Sequence, residues 1–62
     1  MYFSIKKSAP GRYWWRIVSA GNHEILASSE ILSSKQACLH AISIVQGGAY
    51  NARIFDETGE NA

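Results

Sequence analysis

The segment from Arg12 to Val18 predicts a single strand with bulky side chains on both of its faces. Alternation along a strand divides the segment into two sets, Tyr13, Trp15 and Ile17 on one face and Arg12, Trp14, Arg16 and Val18 on the other. The chain has 62 residues, which is enough for one domain with one small core. The chain can therefore cover one face of this strand, and the other face needs a separate explanation.

Two further strands are predicted around this segment. Phe3 and Ile5 alternate with polar residues, which is typical of a half-buried strand. Pro10-Gly11 predicts the turn that follows it. The next turn, at 21–23, is predicted as a three-residue loop in which a glycine takes a positive φ, and the alternative is a two-residue loop that would set Ile17 opposite Leu26. The three-residue loop is favoured. This loop would set Ile17 opposite Ala27 and Ser19 opposite Ile25, and it would place Leu26 on the same face as Trp14.

One amphipathic helix follows. Ser33 is the predicted N-cap, and Gln36 three residues later would complete a capping box. The buried stripe has helical spacing and consists of Cys38, Ala41, Ile42 and Val45. Gly47-Gly48 should end the helix, with a glycine in the left-handed conformation. Residues 51–55 then predict a short last strand.

These elements predict an α+β fold in β-β-β-α-β order. An antiparallel sheet of three to four strands would carry one helix packed on one face. Residues 1–55 form the expected domain, and residues 56–62 form a flexible C-terminal tail because they hold no apolar anchor.

The sheet face that the helix leaves open is the predicted functional surface. Trp14, Val18, Leu26 and Tyr2 would lie there beside several cations. An exposed apolar patch on a small protein marks a contact surface. We therefore predict a homodimer interface, through the open face or a sheet edge, that involves the residues Trp14, Arg16, Val18 and Leu26.

Composition and residue spacing disfavour a metal site and a catalytic site. Cys38 is the one cysteine, and the formal net charge is +1. Cys38 and His40 point to different sides of the helix, so they do not form a metal site with His23. The serines have no triad partners at a recognisable spacing. We expect no enzyme activity and no cofactor or metal.

The location and the second candidate function also follow from composition. No apolar run approaches the roughly 18 residues of a membrane span, and the first residues predict a strand instead of a signal peptide. A lone thiol fits a reducing compartment, so a cytoplasmic location is expected.

The alternative function is weak single-stranded nucleic-acid binding, in which bases stack on Trp14 beside the arginines. The near-neutral charge disfavours it.

Three motifs in fixed order resemble a known family. They are Tyr-x-Trp-Arg-Ile (13 to 17), Glu-Ile-Leu-Ala-Ser-Ser-Glu (24 to 30) and Ser-Ser-Lys-x-x-Cys (33 to 38). Together they resemble the small bacterial YegP-like domains of unassigned function, over about residues 2–55. The resemblance implies a three-stranded meander, a helix and a last strand, and it implies homodimers for single-copy members such as this chain. It implies no catalytic residues.

The chain departs from the family pattern at two places. Ile31-Leu32 stands where these domains usually have Gly-Tyr, so this position contributes packing and not hydroxyl chemistry. Trp14 stands where relatives tend to be polar or charged. A role of Trp14 would therefore belong to this chain and not to the whole family.

Overall fold

Three antiparallel strands and one helix make up the fold, in a computed structural model that describes residues 1–60. The strands are β1 (Tyr2–Ala9), β2 (Arg12–Val18) and β3 (Ile25–Ser28), and the helix is α1 (Lys35–Gly48). A 3-10 turn, Ala49–Asn51, follows the helix. The sheet order is β1-β2-β3, with β2 in the centre. The predicted α+β class and the β-β-β-α order are confirmed.

The first hairpin pairs β1 with β2. Phe3 lies opposite Ile17, and Ile5 lies opposite Trp15. The rings of Phe3 and Trp15 are 6.0 Å apart, so these two side chains share a face as their alternation predicts. Gly11 has a φ of 74° in the connecting turn, a conformation that glycine adopts without strain. The first two predicted strands are thus confirmed.

The second hairpin agrees with its predicted register at Ile17 and departs from it towards the turn. Ile17 pairs with Ala27 as expected, but Val18 and not Ser19 pairs with Ile25, because a bulge intervenes. Ser19 instead donates its N–H to the carbonyl of Glu24, at 2.8 Å. The positive φ of the turn, 58°, belongs to His23, the last residue of the predicted loop, and not to a glycine. The expected glycine conformation and the Ser19–Ile25 pair were wrong.

Residues beyond β3 remain beside β2. Ser29 donates its N–H to the carbonyl of Trp15 at 2.8 Å, and the Ser29 hydroxyl accepts the N–H of Trp15 at 3.0 Å. Tyr13 and Leu32 exchange two backbone hydrogen bonds of 2.8 and 2.6 Å. The central strand is therefore paired along both sides, which fixes Trp14 and Trp15 firmly in the sheet.

The helix begins one residue later than predicted and ends differently. Ser34, with an extended backbone, is the N-cap, and its hydroxyl accepts the N–H of Ala37 at 3.0 Å. Ser33 was therefore the wrong cap. At the other end Ala49 still donates its N–H to the carbonyl of Val45, so the helical pattern continues through the glycines into the 3-10 turn. The predicted left-handed glycine cap is absent from this helix end.

The core is small and lies between α1 and the β1–β2 hairpin. Its buried hydrophobic residues among those described are Val18, Cys38 and Ile42. The helix stripe is confirmed, since Ala41 and Val45 beside them are half-buried. Helix α1 approaches β2 and β1 but does not approach β3. One strand of the sheet therefore has no helix over it.

The predicted last strand at 51–55 is not formed. Asn51 closes the 3-10 turn, and residues 52–60 are neither helix nor strand. A strand needs a neighbour for its backbone groups, and within the described residues this segment has none. The tail predicted at 56–62 remains a prediction, and its last two residues lie outside the described range.

Candidate interaction surfaces

The Trp14–Arg16 pair is the first surface that could hold a partner. Both side chains are half-buried, and they share a face because they lie two residues apart on β2. The guanidinium carbon of Arg16 is 5.8 Å from the centre of the Trp14 ring. The Arg16 Nε is shielded from solvent and has no hydrogen-bond partner within residues 1–60. The pair combines a planar cation with an aromatic ring, an arrangement suited to stacking.

Charge is distributed unevenly along the chain. Four of the six lysines and arginines lie on β1 and β2, namely Lys6, Lys7, Arg12 and Arg16. All five acidic residues come later in the sequence, from Glu24 to Glu60. The first hairpin is thus a cationic unit, and the segment after the helix is mainly anionic. Opposite charges on two separate parts of one chain favour contacts between copies.

Val18 does not belong to an open surface, although the sequence predicted that it would. Its side chain is only 2% exposed. Tyr2 lies directly opposite Val18, and the Tyr2 ring meets His23, with the hydroxyl 3.4 Å from Nδ1. These two rings close the end of β2 beside Val18. Of the other predicted interface residues, Trp14 and Arg16 are half-buried and Leu26 is 50% exposed.

A second surface, which sequence reasoning missed, lies along β3. We call it the β3 edge surface and define it by Ile25, Leu26 and Ile31, each about half exposed. The bulge creates it, because two successive residues of β3 lie opposite Val18. Helix α1 leaves this part of the sheet uncovered. Simple alternation would have placed Ile25 and Leu26 on opposite faces, so the sequence carried no clear signal for this surface.

The third surface is the C-terminal arm, residues 52–55. Ile54 is 95% exposed and Phe55 is 69% exposed. Within the arm, the Arg53 guanidinium lies 5.2 Å from the centre of the Phe55 ring. Two adjacent apolar side chains that are mostly in water form a patch of the kind that a partner could cover.

Beyond the arm, the chain forms a small hydrogen-bonded turn. Asp56 accepts the hydroxyl of Thr58 at 2.7 Å and its N–H at 3.0 Å. These two hydrogen bonds, the hydroxyl first and the backbone second, lower the pKa of the Asp56 carboxyl. Thr58 in turn accepts the N–H of Glu60 at 3.1 Å. The charge of Asp56 is therefore held in a defined local structure directly after the arm.

Residues 1–60 offer little for a metal ion or a small molecule. No group of three or more histidine, cysteine or acidic side chains converges there as metal ligands would. That part of the chain also holds no pocket that could enclose a small molecule. Cys38 is a free thiol in the core. None of the described helices has the length and apolar composition of a membrane span.

Comparison with known proteins identifies a family and two relatives, and the family has no assigned function. The model of a family described as a domain of unknown function, DUF1508, matches residues 8–56. The UPF0339 protein NMB1088 of Neisseria meningitidis serogroup B is 50% identical over 46 residues, which cover 74% of this chain and 80% of that protein. The UPF0339 protein NMA1193/NMA1859 of Neisseria meningitidis serogroup A matches with the same identity and coverage. No solved structure matches the chain significantly.

Proposed function

The chain belongs to the DUF1508 family, the YegP-like family that its motifs resemble, and we propose that it is a non-catalytic interaction module that works as a homodimer. The family has no assigned function, so the proposal of a homodimer rests on the exposed surfaces of this chain. The observation that carries it is the amount of apolar surface that one copy leaves in water.

The accessible surface supports association. A compact protein of 6.8 kDa would expose about 4,000 Å², whereas this chain exposes 5099 Å². Its radius of gyration is 13.9 Å, against about 10 to 11 Å for a compact domain of this length. Large apolar side chains contribute to the exposed surface, since the β3 edge surface and the C-terminal arm are both open.

Energetics favour the same conclusion. Three buried hydrophobic residues among those described make a very small core. Burying a large aliphatic or aromatic side chain contributes about 1.5 to 3 kcal/mol. A dimer that covers Ile54 and Phe55 in both copies therefore gains a contribution comparable with the whole stability of a domain this size, about 3 to 9 kcal/mol.

Light scattering across a range of concentrations tests the proposal. The homodimer predicts a mass of twice 6.8 kDa at micromolar concentration, and an unfolding midpoint that rises with protein concentration. A mass of one chain at 100 times that concentration, with a constant midpoint, would refute it.

A second candidate function is supported by the Trp14–Arg16 pair. The cationic hairpin and the half-buried indole could bind single-stranded nucleic acid by stacking. The net charge of +1 argues against strong binding. Titrating the tryptophan fluorescence with short single-stranded DNA and RNA tests it. Quenching that weakens steeply with salt would support binding, and an unchanged signal in both titrations would exclude it.

We also infer a cytoplasmic location. The supporting observation is the free thiol of Cys38, because lone unpaired cysteines are typical of reducing compartments. Fractionation of cells that produce the chain with a small C-terminal tag tests this, and recovery in the membrane or secreted fraction would contradict it.

A further inference from the structure

We propose that a single strand of nucleic acid binds across the sheet face that carries Trp14, with one base stacked on the indole and a phosphate on each side of that base. The inference rests on the second candidate function and adds the groups that contact the phosphates. It also states why the ligand is a strand and not a free nucleotide. We call this surface the Trp14 face, and its members are Ser4, Lys6, Arg12, Trp14, Arg16 and Ser28.

The register of the sheet brings cations to three sides of Trp14. Lys6 lies directly opposite Trp14 on β1, and residues directly opposite each other share a face. Arg12 and Arg16 are each two residues from Trp14 along β2, which places them on the same face about 7 Å to either side. Lys6 and Arg12 are exposed. The indole is therefore the centre of a cationic surface.

The strands hold no acidic residue that would neutralise these cations. β1 and β2 together carry four lysines and arginines, and β1, β2 and β3 carry no aspartate or glutamate. Glu24 and Glu30 stand beyond the two ends of β3, and the other acids begin at Asp56. The net charge of +1 thus averages a sheet of one sign with acids that lie elsewhere in the chain. Charge complementarity favours an anionic ligand on the sheet.

Arg16 has the surroundings of a phosphate contact. Ser4 lies directly opposite it on β1, and Ser28 lies directly opposite it on β3. A guanidinium and serine hydroxyls are common donors to phosphate oxygens. The Arg16 Nε is shielded from solvent and has no acceptor within residues 1–60, which is unfavourable for a polar group. Turning the guanidinium toward a phosphate oxygen would satisfy this donor, so binding gains an interaction that the free chain lacks.

The arrangement of ring and cations selects a strand over other nucleic-acid ligands. Trp14 stands on the central strand, which is paired along both sides, and so it offers a fixed ring for stacking. A base within a strand has a phosphate on each side, which matches Arg12 and Arg16 on the two sides of the ring. A free nucleotide offers its phosphates on one side only. A duplex hides the faces of its bases, so it cannot stack on the ring.

Binding of a labelled oligothymidylate, followed by fluorescence anisotropy at several salt concentrations, is the first test. Each phosphate contact to a single strand adds about 0.7 to the slope of log affinity against log salt, so three cations predict a slope of about 2. Lys6→Gln, Arg12→Gln and Arg16→Gln should each lower the slope by about 0.7. Trp14→Leu should weaken binding about 5- to 150-fold through lost stacking and leave the slope unchanged.

Lys6 and Lys7 provide a matched control for the face that binds. They are adjacent and both exposed. Lys7 lies opposite Tyr13 and stands 5.6 Å from the centre of that ring, on the other face of the sheet. Lys7→Gln should therefore leave the slope unchanged. Equal losses in Lys6→Gln and Lys7→Gln would overturn the proposal, because the strand would then respond to the charge of the whole hairpin.

The other failures of this test are distinguishable. If the unchanged chain does not bind oligothymidylate, both the second candidate function and the Trp14 face are overturned. If it binds and Trp14→Leu binds equally well, nucleic-acid binding stands and the proposed arrangement is overturned. Equal binding of a duplex of the same length has the same meaning. If thymidine monophosphate competes as well as unlabelled oligothymidylate at equal phosphate concentration, a free nucleotide is the occupant and the strand is overturned.

NMR of the unchanged chain tests the phosphate contacts even if Arg16→Gln does not fold. The chain has three arginines, Arg12, Arg16 and Arg53, so their side-chain Nε–H signals can be followed individually during titration with oligothymidylate. We expect the signals of Arg12 and Arg16 to shift and the signal of Arg53 to stay in place. An unmoved Arg16 signal at saturation, or a larger shift at Arg53, would overturn the proposal.

Discussion

Two isoleucines on the same helix give a matched test of where the core lies. Ile42 is 7% exposed and Ile44 is 61% exposed, although they are only two residues apart on α1. Their backbone environments are alike, so an alanine substitution at either position changes helix propensity by the same few tenths of a kcal/mol. Any difference between Ile42→Ala and Ile44→Ala therefore reports on the packing of the two side chains.

The expected difference is large compared with the stability of the domain. Removing a buried isoleucine side chain costs about 2 to 5 kcal/mol, from lost burial together with the cavity left behind. The core here has few members, so its neighbours can partly collapse, and we expect about 2 to 3 kcal/mol for Ile42→Ala. A domain of 62 residues has about 3 to 9 kcal/mol in total. Ile44→Ala should change the free energy of unfolding by less than about 0.5 kcal/mol.

Urea unfolding followed by tryptophan fluorescence measures both variants. The measurement should be made at one fixed protein concentration, because association stabilises the folded chain. A lower midpoint with an unchanged slope would identify a stability effect for Ile42→Ala. The reasoning fails if the two variants unfold at the same midpoint, or if Ile44→Ala is the more damaging change.

Three further predictions concern local contacts. Ser34→Ala should lower the free energy of unfolding by about 0.5 to 2 kcal/mol, and Ser33→Ala should leave it nearly unchanged; equal effects in urea unfolding would contradict the cap assignment. Thr58→Val should raise the Asp56 pKa toward its usual range, because it removes the hydroxyl that chiefly lowers it, and NMR titration of the carboxyl measures this. The pKa of Asp56 is lower in the folded chain than in the unfolded chain. The stabilisation by its hydrogen bonds is therefore fully present above the unfolded pKa and is lost as pH falls through the folded pKa. An Asp56 pKa in Thr58→Val that equals the pKa in the unchanged chain would refute the assigned cause. Trp14→Glu should leave the dimer mass unchanged in light scattering if a sheet edge joins the copies, whereas a monomer would place the interface on the Trp14 face.

The elements of the fold could be predicted because each is encoded by local periodicity. Alternation of Phe3 and Ile5, and the helical spacing of Cys38 and Ile42, depends on side-chain direction along one element. No distant contact is needed to establish it. Helix ends were less certain, because Ser33 and Ser34 are equally good caps by residue type, and only the path of the preceding chain selects between them.

The surfaces could be predicted only in part, because they depend on contacts between elements. The bulge that exposes Ile25 and Leu26 arises from how the turn at His23 joins two strands. Val18 was expected to lie open, and it is buried beside residues from both neighbouring strands. The sequence around Ile54 has the pattern of a strand, but a pattern cannot supply the neighbour that a strand requires.

The single thiol in the centre of this small core makes the chain a reporter of its own opening. Cys38 has no exposed surface, so a thiol reagent can reach it only when α1 separates from the hairpin. The sequence contains no other cysteine, so each modified molecule records one such event. The rate of labelling under native conditions thus measures the free energy of helix detachment without denaturant. Its dependence on chain concentration would reveal how strongly a second copy holds the helix in place.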